Sequence, residues 1–358
     1  MKIIILAGGS GTRLWPVSRK SMPKQVQPFV DDQTLLQKSY QRLLKGFRKE
    51  DIFIATCVDY KSSIIEQLPQ IDEKNILCEP EKKDTAAAVG FTALHFYHSN
   101  QKEIIITVHS DHYIENEVEY LRILRLAGNV IERNPEYGGL VGVNPTYAET
   151  GYGYIKMNGQ LLSVGNDEIF KVERFIEKPD RATAEELIKQ WEYLWNPGYF
   201  IWRVDALLAQ YQQFLPKMYE IFMKINAAIG TSDADEIIKK EFAKIDPISI
   251  DYGIMEKAKN LIVIPADLGF ADIGHWKTIK DVLKNENEQN IKKGTIIEVD
   301  CSNNLIYNFS SNIVSTAGLR DMIVVVTQDA TLVCHQDSAQ DVKKIVEKIK
   351  ELGLDKYL

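Results

Sequence analysis

The sequence predicts an α/β protein in which a mostly parallel, mixed sheet is flanked by helices and followed by a small C-terminal β unit. Three observations carry this expectation. Short apolar runs alternate with helical patterns through about residue 280, the texture changes near Asn285 to short strand candidates separated by Asn, Ser, Gly and Asp, and an amphipathic helical stretch closes the chain. A chain of 358 residues exceeds what one hydrophobic core usually serves, which divides it into a domain over 1–284 and a second unit over 285–358.

The alternation begins with the apolar run Lys2–Ala7 and the helical pattern Leu35–Leu44. It continues as Asp51–Thr56 with Tyr60–Leu68, Ile76–Cys78 with Thr85–Tyr97, and then Ile104–Val108. Runs of this length are read as buried strands. Helices between them imply a Rossmann-like sheet covered on both faces. Ligands of such sheets bind beyond the carboxyl ends of the strands, so the loops that follow these runs are where the chemistry is expected. Beyond Asn285, the segments Thr295–Val299, Leu305–Tyr307, Ile313–Val314, Ile323–Val326 and Leu332–Val333 are short enough to stack as a small solenoid. Val342, Ile345, Val346, Ile349 and Leu352 then share one face of the closing helix.

Hydrophobic content of 45%, charged content of 26% and a mean hydropathy of -0.21 are those of an ordinary globular chain. A net charge of -7 argues against a broad nucleic-acid face, which needs clustered Lys and Arg. Met1 leads straight into a strand pattern and no apolar run approaches a membrane span, so no membrane association and a cytoplasmic location are expected. Cys57, Cys78, Cys301 and Cys334 lie far apart, which indicates neither a zinc cluster nor a disulfide framework.

The first loop, Leu6–Pro16, reads LAGGSGTRLWP. It fails both common phosphate motifs. The dinucleotide fingerprint begun at Gly9 meets Leu14 where its third glycine belongs, and the P-loop begun at Gly8 meets Leu14 where its Lys belongs. What remains is a loop whose Gly8, Gly9 and Gly11 allow backbone N–H groups to approach a ligand and whose Arg13 offers a forked donor. A tight turn with a surface Arg explains the loop alone equally well. Pro23-Lys24-Gln25 adds a second cation soon after, as an anionic triphosphate requires.

Later loops hold further candidates. Glu79-Pro80 and Asp84-Thr85 follow the third strand, where Asp84 or Thr85 also suits a helix cap. Val108–Ile114, VHSDHYI, ends a buried strand and presents Asp111, and Mg²⁺ needs only one or two such carboxylates. Zinc at His109, Asp111 and His112 is disfavoured because no further His or Cys stands nearby at ligand spacing. Gly153 in TGYGYI, Glu177 and Lys178 in FIEKPD, Asn196 in WNPGYF and Asp272 in DLGFADIGHW each read alone as turn residues. Asp251, in Ser249–Tyr252, suits either site support or a loop role.

The stretch Leu6–Gln25, LAGGSGTRLWPVSRKSMPKQ, resembles the signature of nucleoside-diphosphate-sugar pyrophosphorylases. Trp15-Pro16 with Pro23-Lys24-Gln25 most resembles mannose-1-phosphate guanylyltransferases, and the motifs keep family order from Met1 to about Leu283. The resemblance implies transfer of GMP from GTP to α-D-mannose 1-phosphate, giving GDP-mannose and pyrophosphate, with Mg²⁺. It places the nucleotide at Leu6, Ala7, Gly8, Gly9, Gly11, Thr12, Arg13, Lys24, Glu79, Pro80, Asp84, Thr85, Ser110 and Asp111. The sugar phosphate falls to Tyr152, Gly153, Glu177, Lys178, Asn196 and Asp251, and the metal to Asp111 and Asp272. Arg13, Lys24, Asp111, Lys178 and Asp272 then carry the reaction. Since a sugar phosphate is already ionised at neutral pH, positioning and charge neutralisation suffice without a general base.

Three positions depart from the family pattern: Lys83-Asp84 for Arg-Asn, His109 for Pro, and Pro197 for a small polar residue. They keep a different sugar or nucleotide open. A non-catalytic nucleotide-sugar sensor is a further alternative, against which the retained Arg13, Lys24, Asp111, Lys178 and Asp272 argue. The C-terminal unit resembles a short left-handed β-helix used for subunit contact, which implies a homodimer. An end at Leu358 leaves no room for the fused isomerase domain of some relatives, so a single activity is expected.

Overall fold

The computed structural model describes residues 1–9, 11–19, 22–284 and 289–358. Ser10 of the first loop and residues 285–288, where the texture of the sequence changes, lie outside the described residues. The chain forms two compact units, one of Met1–Gly8, Tyr40–Ser110 and Ile114–Phe270, the other of Gly9–Ser39, Asp111–Tyr113 and Ala271–Leu358.

Strands β1 (Lys2–Leu6), β2 (Ile52–Cys57), β3 (Ile76–Glu79) and β4 (Ile104–His109) are followed by the short β5 (His112–Ile114). Then come β6 (Gly138–Val143), β7 (Gly153–Val164), β8 (Asp167–Ile176), β9 (Tyr193–Asn196), β10 (Phe200–Arg203), β11 (Leu261–Ala266) and β12 (Phe270–Asp272). In the first unit β3, β2, β1 and β4 run parallel, and β10 lies antiparallel between β4 and β6. Beyond it β6 and β11 are parallel again, and the β7–β8 hairpin with β9 completes a ten-stranded sheet. This is the mixed, mostly parallel sheet expected from the alternation. Ile3, Ile4 and Ile5 of β1 are fully buried, as a strand covered on both faces requires.

Helices Asp84–Ser99, Val204–Phe214 and Pro216–Ala228 contribute Ala86, Ala87, Leu94, Leu207, Tyr211 and Phe222 to the main core, with Leu77, Phe200 and Trp202 from the sheet. Gly90 sits inside the first of these helices because a Cβ there would fall 2.1 Å from the Phe222 ring. Among the described residues, no helix is long and apolar enough to cross a membrane. All four cysteines are free.

The second unit contains β13 (Asn290–Lys293), β14 (Ile296–Val299), β15 (Asn304–Asn308), β16 (Val314–Ala317), β17 (Met322–Val326) and β18 (Thr331–His335). Parallel β13, β15 and β17 form one sheet, closed by antiparallel β18, while β14 and β16 form a second parallel pair. From β13 to β17 successive strands thus alternate between sheets, giving a β-helix-like coil. Its corners are satisfied by stacked asparagines. Buried Asn304 donates to Asn290 Oδ1 at 2.9 Å and to Leu319 O at 2.9 Å, while its own Oδ1 accepts from Met322 N at 2.8 Å.

The core of this unit joins Leu14, Trp15, Val17, Phe29 and Leu35 to Ile273, Trp276, Leu305, Tyr307, Ile323 and Val325. The closing helix, Val342–Glu351, buries Val342 and Val346 and partly packs Ile349. Ile345 and Leu352 face solvent, at 37% and 71% exposure, so the apolar stripe read from the sequence is wider than the face that docks.

Candidate active site

The second unit assembles the cationic loop and the carboxylates. Gly11 is left-handed, with φ at 60°, and starts the single 3₁₀ turn Thr12–Leu14. A Cβ at Gly11 would come within 2.6 Å of both Lys24 Cβ and Ser18 Oγ, whereas at Gly9 it would meet only Lys24 Cε at 3.6 Å and at Gly8 nothing within 4 Å. Of the three glycines, Gly11 is therefore the one its surroundings demand.

Lys24 opens a short turn behind Pro23 and points its ammonium at both carboxylates. It is in close contact with Asp111 Oδ2, lies 3.5 Å from Asp272 Oδ1, and donates to Ile273 O at 3.4 Å. Ile273 N in turn donates to Asp111 O at 3.2 Å, which fixes the two acidic segments side by side. Burial alone would lower the Lys24 pKa, but the charges of Asp111 and Asp272 outweigh it and hold the ammonium above its ordinary value. Burial, aided by the Arg13 cation, pushes His275 down to about 4, so this imidazole stays neutral. Its Nδ1 accepts from Thr278 N at 3.3 Å and caps the helix Trp276–Leu283.

In the first unit the carboxyl ends of β1, β3 and β4 present Leu6, Glu79 and His109. Leu6 O accepts from Ser110 N at 3.2 Å, and Ala7 O accepts from Thr56 Oγ1 at 2.8 Å. Asp84 is left-handed, with φ at 67°, and its Oδ1 accepts from Thr85 N at 2.7 Å. Thr85 does not cap its own helix. Its Oγ1 accepts from Ile250 N at 2.9 Å and ties the helix start to the segment bearing Asp251.

Glu79, which precedes Pro80, is buried, and among the described residues its Oε2 has no hydrogen-bond partner. Burial pushes this carboxyl up to about 8. The folded protein thus keeps a proton that the unfolded chain releases near 4.5, so stability falls as pH rises between those values. Glu79→Gln should remove that fall. Melting temperatures measured from about pH 5 to about pH 8.5 should decline less in the variant, by the equivalent of a few kcal/mol.

The start of β7 and the ends of β8 and β9 meet in the same unit. Gly153 pairs with Asn196, and a Cβ at Gly153 would fall 2.6 Å from Glu177 Oε2 and 3.3 Å from Asn196 Cβ. Lys178, left-handed with φ at 44°, holds its ammonium on the Glu177 carboxylate. Asn196 donates to Asp251 Oδ1 at 3.3 Å and accepts from Gly198 N at 3.0 Å. Burial and the neighbouring Glu177 raise the Asp251 carboxyl to about 7. Gly153, Glu177, Lys178, Asn196 and Asp251 thus form one cluster of amide, ammonium and carboxyl groups. The Tyr152 ring packs edge-on against Trp195 at 5.3 Å, so packing accounts for part of its surroundings.

Two groups escape sequence reasoning. Glu256 Oε1 accepts from Glu177 N at 3.1 Å, and no motif marks it. The sequence marks His109 as a departure from the family pattern and as a disfavoured zinc ligand, yet a Cβ at Gly198 would fall 2.5 Å from its Nε2, so the ring seats directly against the Pro197-Gly198 turn.

A nucleotidyl transferase domain is matched over residues 2–289, and a mannose-phosphate isomerase/GMP-like β-helix domain over residues 294–349. The xanthan biosynthesis protein XanB of Xanthomonas campestris pv. campestris is 37% identical over 356 residues, covering 98% of this chain and 73% of that protein. Mannose-1-phosphate guanylyltransferase RfbM of Salmonella typhimurium is 35% identical over 365 residues, covering 99% and 73%. The chain belongs to the mannose-1-phosphate guanylyltransferase family of nucleotidyl transferases. The crystal structure of mannose-1-phosphate geranyltransferase from Thermus thermophilus shares its fold, with a TM-score of 0.86 and 28% identity over 98% of this chain and 99% of that one. As a family member, the protein is a sugar-phosphate nucleotidyltransferase. The resemblance carried by Leu6–Gln25 is thereby borne out.

Proposed function

We propose that the protein transfers GMP from GTP to α-D-mannose 1-phosphate in the cytoplasm, releasing pyrophosphate and forming GDP-mannose, with Mg²⁺ as cofactor. The observation that carries this reading is the convergence of Lys24, Asp111 and Asp272. Relatives named as mannose-1-phosphate guanylyltransferases support the choice of base and sugar.

The donor set fits Mg²⁺. Two carboxylates directed at one ammonium are hard oxygen ligands in the number that Mg²⁺ takes from a protein. When bound at Asp111 and Asp272, the metal supplies charge neutralisation at the phosphates. Arg13 and Lys24 hold the triphosphate and the departing pyrophosphate, supported by the backbone of Gly8, Gly9, Gly11 and Thr12. Lys178 meets the sugar phosphate, one oxygen of which forms the new bond to the α-phosphorus as the bond to pyrophosphate breaks. Glu177 and Asn196 take sugar hydroxyls, Gly153 leaves them room, and Asp251 steadies Asn196. Leu6, Ala7, Ser110, Glu79, Pro80 and Thr85 line the nucleoside side. Asp84, whose Oδ1 is engaged by Thr85 N, serves the turn as well as the base.

A homodimer through the C-terminal unit belongs to the same proposal, and the exposure of Ile297 and Val299 on β14 supports it. The test is incubation with GTP, mannose 1-phosphate and Mg²⁺, with the product identified by mass and a panel of nucleotides and sugar phosphates compared by pyrophosphate release. GDP-mannose should dominate. A strong preference for another nucleotide or sugar, the alternative kept open by Asp84, His109 and Pro197, would overturn the assignment.

A further inference from the structure

We propose that the C-terminal β-coil is the scaffold that positions the Gly11–Lys24 segment for nucleotide transfer, with Arg19 and Asp329 as its positioning pair. The inference rests on the reading of that segment as the triphosphate holder. It gives the coil a part in the reaction, beyond the subunit contact expected from sequence.

The described residues of the segment form only short turns. Among them, the helical backbone is the turn Thr12–Leu14 and the turn opened by Lys24, and turns this short are held by few internal bonds. Local bonds such as Ser18 N to Leu14 O at 3.0 Å and the reciprocal Arg19–Met22 pair close its turns, and the points that anchor it to the rest of the unit come from residues about 250 to 340 positions away. Arg19 donates to Asp329 through both terminal nitrogens, Nη1 to Oδ2 at 2.7 Å and Nη2 to Oδ1 at 2.5 Å. Its Nε donates to Pro16 O at 2.9 Å, so the same guanidinium also closes the loop that bears it. Thr327 Oγ1 accepts from Ala330 N at 3.2 Å and donates to Asp329 Oδ1 at 3.1 Å, holding the β17–β18 turn in shape to receive the fork.

Exposed ion pairs usually contribute little, but a two-pronged Arg–carboxylate pair fixes direction as well as distance. Arg19 is only 13% exposed, although Asp329 is 44% exposed. The hydrogen bonds from Arg19 hold the Asp329 carboxyl down at about 2, so the pair stays charged throughout the physiological range.

Indole groups complete the brace. Trp15 Nε1 donates to Tyr357 O at 2.8 Å, and buried Trp276 Nε1 donates to Trp15 O at 2.9 Å. On the far side of Lys24, Tyr307 hydroxyl donates to Phe29 O at 2.9 Å and Lys293 Nζ to Pro28 O at 3.0 Å. Arg13 and Lys24 are therefore bracketed by fixed points supplied by the coil and by the segments that flank it. A displacement of about 1 Å at such groups lowers rate by about 100-fold.

The test compares the full chain with Asp329→Asn, which removes the charge and keeps the size, and with Trp15→Phe, which removes only the indole donor. KM for GTP should rise about 10- to 100-fold in Asp329→Asn while KM for the sugar phosphate stays within about twofold. The reversed pair, Arg19→Asp with Asp329→Arg, should recover part of the loss, since it restores the ion pair but not the bond from Arg19 Nε to Pro16 O. Hydrogen exchange of the Gly11–Ser18 amides, measured without substrate, should quicken in both single variants. Unchanged exchange in both would overturn the scaffold. Faster exchange with unchanged KM for GTP would leave the scaffold standing and instead remove this segment from the nucleotide site. Equal rises in both KM values would overturn the positioning role.

Discussion

Asp111→Asn should lower kcat by about 10²- to 10³-fold at saturating Mg²⁺, read as steady-state pyrophosphate release, with a smaller change in the KM for sugar phosphate. The substitution keeps the size of the side chain, so the segment should still pair with Ile273 through its backbone. What it removes is one of the two negative charges that converge on Lys24. A neutral amide is a weak ligand for a hard divalent cation and a weak partner for an ammonium. With Asp272 alone remaining, at 3.5 Å from Lys24, the negative charge that faces this ammonium is halved. Near-normal turnover in the variant would mean that Asp111 is a structural counter-ion and not a ligand.

Lys24→Met should have an equally large effect on activity and a second, independent effect on stability. Methionine replaces the aliphatic stem but leaves Asp111 and Asp272 without the ammonium that now lies between them. Removing one partner of a largely buried ion pair destabilises by about 3 kcal/mol, because the charges left behind are poorly solvated. The Lys24 and Asp111 side chains are 12% and 15% exposed, so solvent relieves little of that strain.

The sign of the pH response follows. In wild type the Lys24 pKa is raised, so its contribution is present throughout the neutral range and lost only as pH climbs past that raised value. In the variant, Asp111 and Asp272 lose this counter-ion, so stability should recover on acidification. Mg²⁺ should also raise the variant's melting temperature more than that of wild type, and chelator should abolish the difference. A variant insensitive to Mg²⁺ would speak against a metal at this pair.

The sheet was legible because its strands carry their own signal: the buried run Ile3–Leu6 and the strand ending in VHSDHYI occupy the places their apolar patterns demand. The site was legible in a different way. Gly153, Glu177, Asn196 and Asp251 meet across about 100 residues, and nothing in their local spacing predicts that encounter; order and likeness to relatives did. Thr85 shows how local reasoning loses. A hydroxyl at a helix start suits a cap, but the backbone N–H of Ile250 is the donor it accepts from, and only the folded chain reveals it. The loop glycines show the converse, since sequence treats Gly8, Gly9 and Gly11 alike while Lys24 and Ser18 single out one of them. The Arg19–Asp329 pair, 310 positions apart, leaves no trace in any window of sequence.

Gly90 carries a consequence for Thr85, five positions earlier in the same helix. A helix moves as a rod, so wherever the Phe222 ring lets residue 90 rest is where the hydroxyl of Thr85 comes to rest as well. The address of a candidate site residue is thus written in the void left by an absent methyl group. Selection for substrate contacts would reach that void only indirectly, through the alignment of one helix.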